Sequence, residues 1–480
     1  MQTFASPTQP PTESTPGEDG APNGLSPRLE VKTPAYRRYV GAYGLAYLGI
    51  ALLWGAVLSI LLPLQVQGIE ATRVLGPDVN LDALNALETK VETGELVPTA
   101  EQSGQLDLLA QFNSARASSL SLVTSVGVLL SMILQPIIGA LSDRTRSRWG
   151  RRAPYVASGA IGGAAAMCLM PVASNIALLV IVWSLLQLFG NLAQGPLIAT
   201  VADRVPQERL GTVSAIGGLI TYGAAIFGAV VAGVLFNMVG LASYYPFAIA
   251  LVMLALMFPL IARDHSSVGS QFPPLRLTSL LASFVSALRD RDYRWAWASK
   301  VLLWAGLGIS GTYGIYMLQS YIHPSLPTSQ AAQIAPLLQI VALPGTLIAM
   351  AVVGRLSDRL RRRKPFVIAA AAVVAVGFLV PWVWPSLPAM FIQAALSGIG
   401  LGAFLVVDQA LFIDLLPDPT AAGRDLGMSG LGQNLGQAVG PLIAGLVVTV
   451  SAGAYGPVWP AGFIIVLLAA LLVLPIRRVR

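Results

Sequence analysis

Twelve apolar runs, most near or above the ~20 residues that a bilayer core demands, govern what this 480-residue chain can become. They fall at residues 39–66, 117–141, 154–173, 176–203, 211–237 and 243–262, and again near 295–322, 330–355, 366–384, 388–414, 427–450 and 457–476. Lipid offers no partner for backbone N–H and C=O groups, so such runs cross as helices that satisfy their own hydrogen bonds. Composition agrees, since 11% of the residues are charged where a soluble domain carries about 25%. The expected fold class is an all-α membrane protein, and an even number of crossings leaves both termini on one side.

Charge placement says which side, because Lys and Arg near span ends are retained in the cytoplasm. Basic residues crowd the joins at 142–152 (Arg144, Arg146, Arg148, Arg151, Arg152), 203–210, 263–294 and 355–364 (Arg355, Arg359, Arg361, Arg362, Arg363, Lys364), with Arg37, Arg38 and the terminal Arg477, Arg478 and Arg480. The opposite joins at 172–175, 322–329 and 451–460 hold no Lys, Arg, Asp or Glu. The chain is expected in the cell membrane, multi-pass, with both termini cytoplasmic. The net charge of +7 then reports topology and calls for no nucleic-acid partner. Cys168, the only cysteine, lies in the third run, which leaves no disulfide framework and no cysteine-based metal site.

Residues 1–35, rich in Pro, Thr, Ser and Gly, read as a disordered cytoplasmic tail. Residues 36–262 form a first six-helix bundle, 263–294 a linker and 295–480 a second bundle. Within the first bundle, an insert at 67–115 holds eight acids against Arg73 and Lys90 and is expected to cap the extracytoplasmic side. Leu81, Leu84, Leu87 and Val91 give part of it helical spacing. In the linker, Leu277, Leu281, Phe284 and Leu288 beside Arg276, Arg289 and Arg291 suggest a helix on the membrane surface. The halves are related: GALSDRTR at 139–146 recurs as GRLSDRLR at 354–361, and ADRVP at 202–206 is echoed by IDLLP at 413–417. Parallel repeats of this kind place a solute site between the halves near the midplane.

The doubled G-x-L-S-D-R loop with trailing basic residues resembles the signature of the major facilitator superfamily over nearly the whole chain. More narrowly, QPIIGALSDRTRSRWGRRAPY at 135–155 is similar to the glycoside-pentoside-hexuronide symporters, and within them to the sucrose/proton symporter group. Gln135, Pro136, Gly139, Ser142, Asp143, Gly150, Arg151, Arg152 and Pro154 match, while Ala153 and Tyr155 depart. NLAQGPLIATVAD at 191–203 and DLLPDPTAAGRDLG at 414–427 also look like that group. The family's intramembrane arginine falls on Ile198, its acid on Gln187, and the sodium-coupling aspartates of melibiose-type relatives on Ser131 and Gln135. The resemblance implies a sugar-shaped cavity and a cytoplasmic latch, and no inherited coupling ion.

The latch would consist of Gly139, Asp143, Arg144, Arg148, Arg151, Arg152 and Asp203, with Gly354, Asp358, Arg359 and Asp414 in the second half. Carboxylates bind guanidinium groups and helix N-termini there, and the glycines permit close helix approach. A sugar needs hydroxyl partners and an aromatic face. Gln187, Asn191 and Gln194 share one face of the fourth span, Ser131 and Gln135 one of the second, Tyr313, Tyr316 and Gln319 one of the seventh, and Gln433 and Gln437 one of the eleventh. The alternative is that these amides bind helix to helix. Asp408, six residues before Asp414 and so roughly 9 Å deeper, is the acid well inside a span and the candidate proton site. Lys300, near a span start, is expected to snorkel to the surface.

His265 and His323 are far apart in loops, and neither a Walker-type glycine loop nor a Cys/His metal spacing is present. The expectation is a non-enzymatic secondary transporter without cofactor, carrying a di- or oligosaccharide or other glycoside with proton symport. Its partners would be that solute and the bilayer, with no obligate protein partner. The alternatives are a facilitator or exporter of another small molecule, and a transport-inactive receptor or scaffold that keeps the fold.

Overall fold

The computed structural model describes residues 28–76, 79–268, 287–360, 362–416 and 422–479, without the side chains of 422–426. Among them all regular structure is helical. Helix α1 (Pro34–Leu75) starts at Thr33, whose hydroxyl accepts from Tyr36 N–H, and contains two π-helical turns at Val57–Leu61 and Ala71–Leu75. The spaced leucines of the insert become α2 (Leu81–Glu92), capped by Asn80. Helix α3 (Ala100–Asp143) begins on a capping box between Thr99 and Gln102, well before its apolar run. At 1.5 Å per residue it is far longer than a ~30 Å hydrocarbon core, so its first turns stand out of the membrane beside α2.

The first half continues with α4 (Ala153–Leu169), α5 (Ile176–Arg204), α6 (Leu210–Val239) and α7 (Tyr244–Ile261). The second contains α8 (Arg291–Thr312), α9 (Gly314–Ser320), α10 (Thr328–Leu360), α11 (Lys364–Val383), α12 (Leu387–Asp414), α13 (Ala422–Val450) and α14 (Val458–Leu471). Nine stretches among the described residues are long and apolar enough to cross a membrane. One of them, Gln207–Ile261, holds both α6 and α7, which turn at Gly240–Ser243. Helices α8 and α9, bent by 50° at the break between them, are together long and apolar enough for a further crossing, and α14 is a shorter apolar helix. The arrangement is consistent with twelve crossings.

Packing repeats with the sequence. In the first half α1 packs on α6 and α7, α3 on α5, and α4 on α5 and α7; in the second, α8 packs on α13 and α14, α10 on α12, and α11 on α12 and α14. The halves meet through two reciprocal pairs, α3 with α13 and α6 with α10. Small residues make these approaches close: a Cβ at Gly445 would stand 2.6 Å from Ser121 Oγ, and one at Gly233 would collide with the Ala332 carbonyl.

One end of the molecule, the basic face, carries the Arg-rich joins; the other, the cap face, carries α2. The linker helix expected around Leu277, Leu281, Phe284 and Leu288 lies outside the described residues except for Ala287 and Leu288, which sit in a short turn at Ala287–Arg289. Most of the expected N-terminal tail and the centre of the 414–427 motif also lie outside them.

Candidate solute cavity and the charge clusters around it

Between the halves lies a cavity of about 450 Å³, within the ~300–1,000 Å³ of small-molecule sites. Irregular helix geometry builds it. The π turn in α1 presents Leu58 and Ser59, and the bend between α8 and α9 presents Thr312 and Gly314, as broken helices do at transporter sites. Across it Gln339 donates to Ser59 Oγ at 3.2 Å. Tyr222, Trp304, Gln393 and Gln437 add aromatic faces and amides. Among the described residues, no Asp, Glu, Lys, Arg or His lines it.

Of the ten residues read from the sequence as solute ligands, Gln437 lines this cavity. Four others form a hydrogen-bonded cluster between α3 and α5. Ser131 Oγ donates to Gln187 Oε1 at 2.9 Å, Asn191 Nδ2 to Ser131 Oγ at 2.9 Å, and Gln135 Nε2 to Asn191 Oδ1 at 2.8 Å. Asn434 reaches across from the other half to Gln135 Oε1 at 3.0 Å. Gln194 accepts from Trp54 Nε1 at 3.0 Å, and Gln433 is half-buried on α13. Tyr313, Tyr316 and Gln319 depart from expectation: the bend carries them toward the cap face, where they join the halves and are not among the cavity lining. Tyr313 Oη contacts the Ala117 carbonyl at 2.9 Å, Tyr316 Oη donates to the Pro63 carbonyl at 2.7 Å, and Gln319 Oε1 accepts from Arg116 at 3.0 Å.

Asp408 is buried on α12 and has a partner that the sequence reading missed. Lys300 Nζ donates to Asp408 Oδ2 at 2.7 Å and to Ser429 Oγ at 2.8 Å. The lysine therefore does not snorkel; a facing carboxylate supplies what the surface otherwise would. The pair lies in the second half, below Trp304 on α8 and Leu401 on α12, which line the cavity.

At the basic face the repeated motif builds two matching clusters. Arg152 binds Asp143 at 2.7 Å, Asp203 at 2.8 Å and Ser142 Oγ at 2.9 Å, with Arg151 on Asp203 at 2.7 Å. Arg363 binds Asp358 at 2.7 Å, Asp414 at 3.3 Å and Ser357 Oγ at 2.9 Å. Arg363 was not singled out, although the 211-residue offset that carries Asp203 to Asp414 also carries Arg152 to Arg363. The ion pairs named here each join residues of one half. Arg144 donates to the Ala140 carbonyl at 3.0 Å, and Arg148 and Arg359 are exposed. Gly139 provides no close approach, since a Cβ there meets nothing within 4 Å, while one at Gly354 would press on Val406 at 2.9 Å.

The cap face holds the largest surprise. Arg116, fully buried on α3, donates to Tyr455 Oη at 3.0 Å, Gln319 Oε1 at 3.0 Å and Ser320 Oγ at 2.7 Å, all in the second half. Its guanidinium also lies over Phe112, Tyr316 and Tyr455, with centroids at 4.4 to 5.4 Å. Helix α2 reinforces the join: Asn85 Oδ1 accepts from Ser320 at 2.8 Å, Asp82 accepts from Thr328 N–H at 3.1 Å, and Glu92 lies 3.3 Å from His323 Nε2. The Glu88 carboxyl on α2 is pushed up to about 7, chiefly by burial and further by Glu92, with Arg116 opposing. Arg116 opens the second apolar run in the sequence, and nothing there marks it as buried.

A family model described as the Major Facilitator Superfamily matches residues 40–351 and 315–479. The multidrug resistance protein MdtG of Enterobacter lignolyticus (strain SCF1) is 28% identical over 340 residues, 68% of this chain and 75% of its own. An uncharacterized symporter of Synechocystis sp. is 56% identical over only 39 residues, 8% of this chain and 7% of its own. Among solved structures, the nucleoside transporter NupG superposes with a TM-score of 0.66 at 15% identity, covering 92% of this chain and 98% of that one. A bacterial homolog to the human lysosomal transporter Spinster superposes with a TM-score of 0.60 at 13% identity, covering 92% and 95%. At these identities the two structures speak for the fold alone.

Proposed function

The chain belongs to the major facilitator superfamily, and on that premise we propose that it is a secondary transporter carrying a di- or oligosaccharide or other glycoside across the cell membrane by alternating access. The observation that carries this reading is the cavity of about 450 Å³ between two repeated halves, with amides from Gln339, Gln393 and Gln437 and the rings of Tyr222 and Trp304 on its walls. Glycosides present both hydroxyl groups and apolar ring faces, and this wall offers both kinds of partner. By the distribution of Lys and Arg, the basic face is cytoplasmic.

Coupling to protons is assigned to Asp408. A proton taken up by its carboxylate would break the 2.7 Å contact and release Lys300, giving the second half two arrangements that differ in charge pairing. In proteoliposomes, Asp408→Asn is expected to lose accumulation driven by a pH difference while retaining exchange at equal concentrations. Accumulation by the variant would make Asp408 structural; absence of pH-driven accumulation by the wild type would make the protein a facilitator. A second reading, export of another small amphiphile, is favoured by the many aliphatic residues of the cavity wall, Leu58, Val128 and Ile226 among them, and by the name of the relative MdtG.

A further inference from the structure

We infer that Ser59 stands in for the solute: in the empty cavity its hydroxyl occupies the Gln339 amide, and an oxygen of the bound solute takes that place. This deepens the transport reading and rests on it. Both side chains line the cavity, and both are half-buried. Gln339 Nε2 donates to Ser59 Oγ at 3.2 Å, the long end of the range for such a bond. Among the described residues neither side chain has a further hydrogen-bond partner. Gln339 Oε1 is therefore unpaired, and it is not one of the polar atoms closed off from solvent. The amide is held at one end by a single hydroxyl of the other half and is reachable at the other.

The two halves furnish the wall differently. The second contributes the amides of Gln339, Gln393 and Gln437, the first only the hydroxyls of Ser59, Thr124 and Tyr222. Thr124 Oγ1 donates within its own helix to the Leu120 carbonyl at 2.7 Å, and Gln393 Nε2 to Ser397 Oγ one turn away at 2.9 Å. Gln339 is thus the wall amide whose bond crosses between the halves, and the hydroxyl it meets lies on a flank that is otherwise apolar at Leu58, Val128 and Ile226. Ser59 belongs to the π turn Val57–Leu61, and such turns recur at functional sites. The backbones on both sides are fixed. A Cβ at Gly398 on α12 would collide with the Ala342 carbonyl of α10, and one at Gly55 on α1 would collide with the Ala225 backbone of α6. The exchange therefore turns on the Gln339 side chain, which passes from one oxygen to another and is left unpaired in neither state. It also removes a link between the halves, so the loaded and empty cavities differ in what joins them. A solute that drives a change of access needs a difference of this kind.

Equilibrium dialysis of the purified full-length protein against phenyl glucoside and sucrose tests this, because the two partners of the bridge should respond with opposite sign. Gln339→Leu removes the solute's donor and should weaken binding by roughly threefold to tenfold; Ser59→Ala leaves the amide waiting and should tighten binding by a similar factor. The double variant should bind as weakly as Gln339→Leu, since Ser59 acts only through that amide. Weaker binding in both single variants, unchanged binding in Ser59→Ala, or a double variant that binds better than Gln339→Leu overturns the inference while leaving the transport reading intact. If the opposite shifts are found but neither probe crosses in proteoliposomes, the transport reading fails and the exchange stands. Binding of neither probe, by the parent or by Ser59→Ala, overturns both the glycoside reading and the inference.

Discussion

The two ends of this molecule use charge in opposite ways. At the cap face Arg116, fully buried, binds side chains of the other half. At the basic face Arg152 and Arg363 bind carboxylates of their own halves. Among the described residues, side-chain hydrogen bonds between the halves run from the cap face only as far as Gln135 and Asn434. The difference describes a state. Where each half neutralises itself, the halves can part without stranding a charge; where one half's cation depends on the other's oxygens, parting must expose or unpair them. Among the described residues, the side-chain hydrogen bonds that join the halves thus gather toward the cap, as in one of the two end states that alternating access requires.

The largest expected effect comes from breaking the joined end. Arg116→Met keeps the apolar stem but leaves Tyr455, Gln319 and Ser320 without their donor. Buried groups left unpaired cost ~1–3 kcal/mol each, not additively, so the cap-closed state should lose ~2–4 kcal/mol against the cap-open one. Spin labels at Glu101 and Thr449, introduced as cysteines with Cys168→Ser, should show a longer distance population absent from the parent. An unchanged distance distribution would mean that helix packing, and not Arg116, holds the cap.

Much of the comparison was legible beforehand at one end and hidden at the other. The basic face announced itself because the loop motif is written twice and topology demands arginine there; even Arg363 follows from the repeat offset. The spans and α2 were readable from periodicity. Arg116 was not, because it opens an apolar run where an arginine ordinarily meets water, and its partners lie more than 200 residues away at Gln319 and Tyr455. Lys300 was misread for the same reason, since its partner Asp408 is 108 residues away. The amides of α3 and α5 were correctly placed on shared faces, yet helical spacing cannot distinguish a face that meets a ligand from one that meets another amide.

A second break tests whether the two basic clusters are equivalent. Asp203 is 16% exposed and holds both Arg151 and Arg152, whereas Asp414 is 44% exposed and lies 3.3 Å from Arg363. Asp203→Asn leaves two nearly buried guanidinium groups without their shared carboxylate and should cost ~1–3 kcal/mol. Asp414→Asn loses an exposed contact of ~0–1 kcal/mol. Thermal unfolding in detergent should therefore rank Asp203→Asn clearly below Asp414→Asn, with the latter close to the parent. Equal losses would show that position in the repeat outweighs burial.

The smallest effect sharpens the comparison at the cap, where Glu88 ties α2 docking to pH. Its carboxyl rises from the usual 4.5 to about 7 with α2 in place, so the docked form holds the proton more tightly than the undocked one. Below about 4.5 both forms are neutral and docking carries no penalty from this group; between 4.5 and about 7 the penalty grows, and above 7 it is complete. The cap should consequently loosen as pH rises through this window. Burial and Glu92 raise the carboxyl while Arg116 opposes them, so the docking equilibrium should weaken progressively across the window. Labels at Ala86 and Gln330, read across that range, should move apart on the alkaline side. Glu88→Gln carries no titrating proton and should remain docked throughout. If the variant keeps the parent's pH profile, a different group controls the cap.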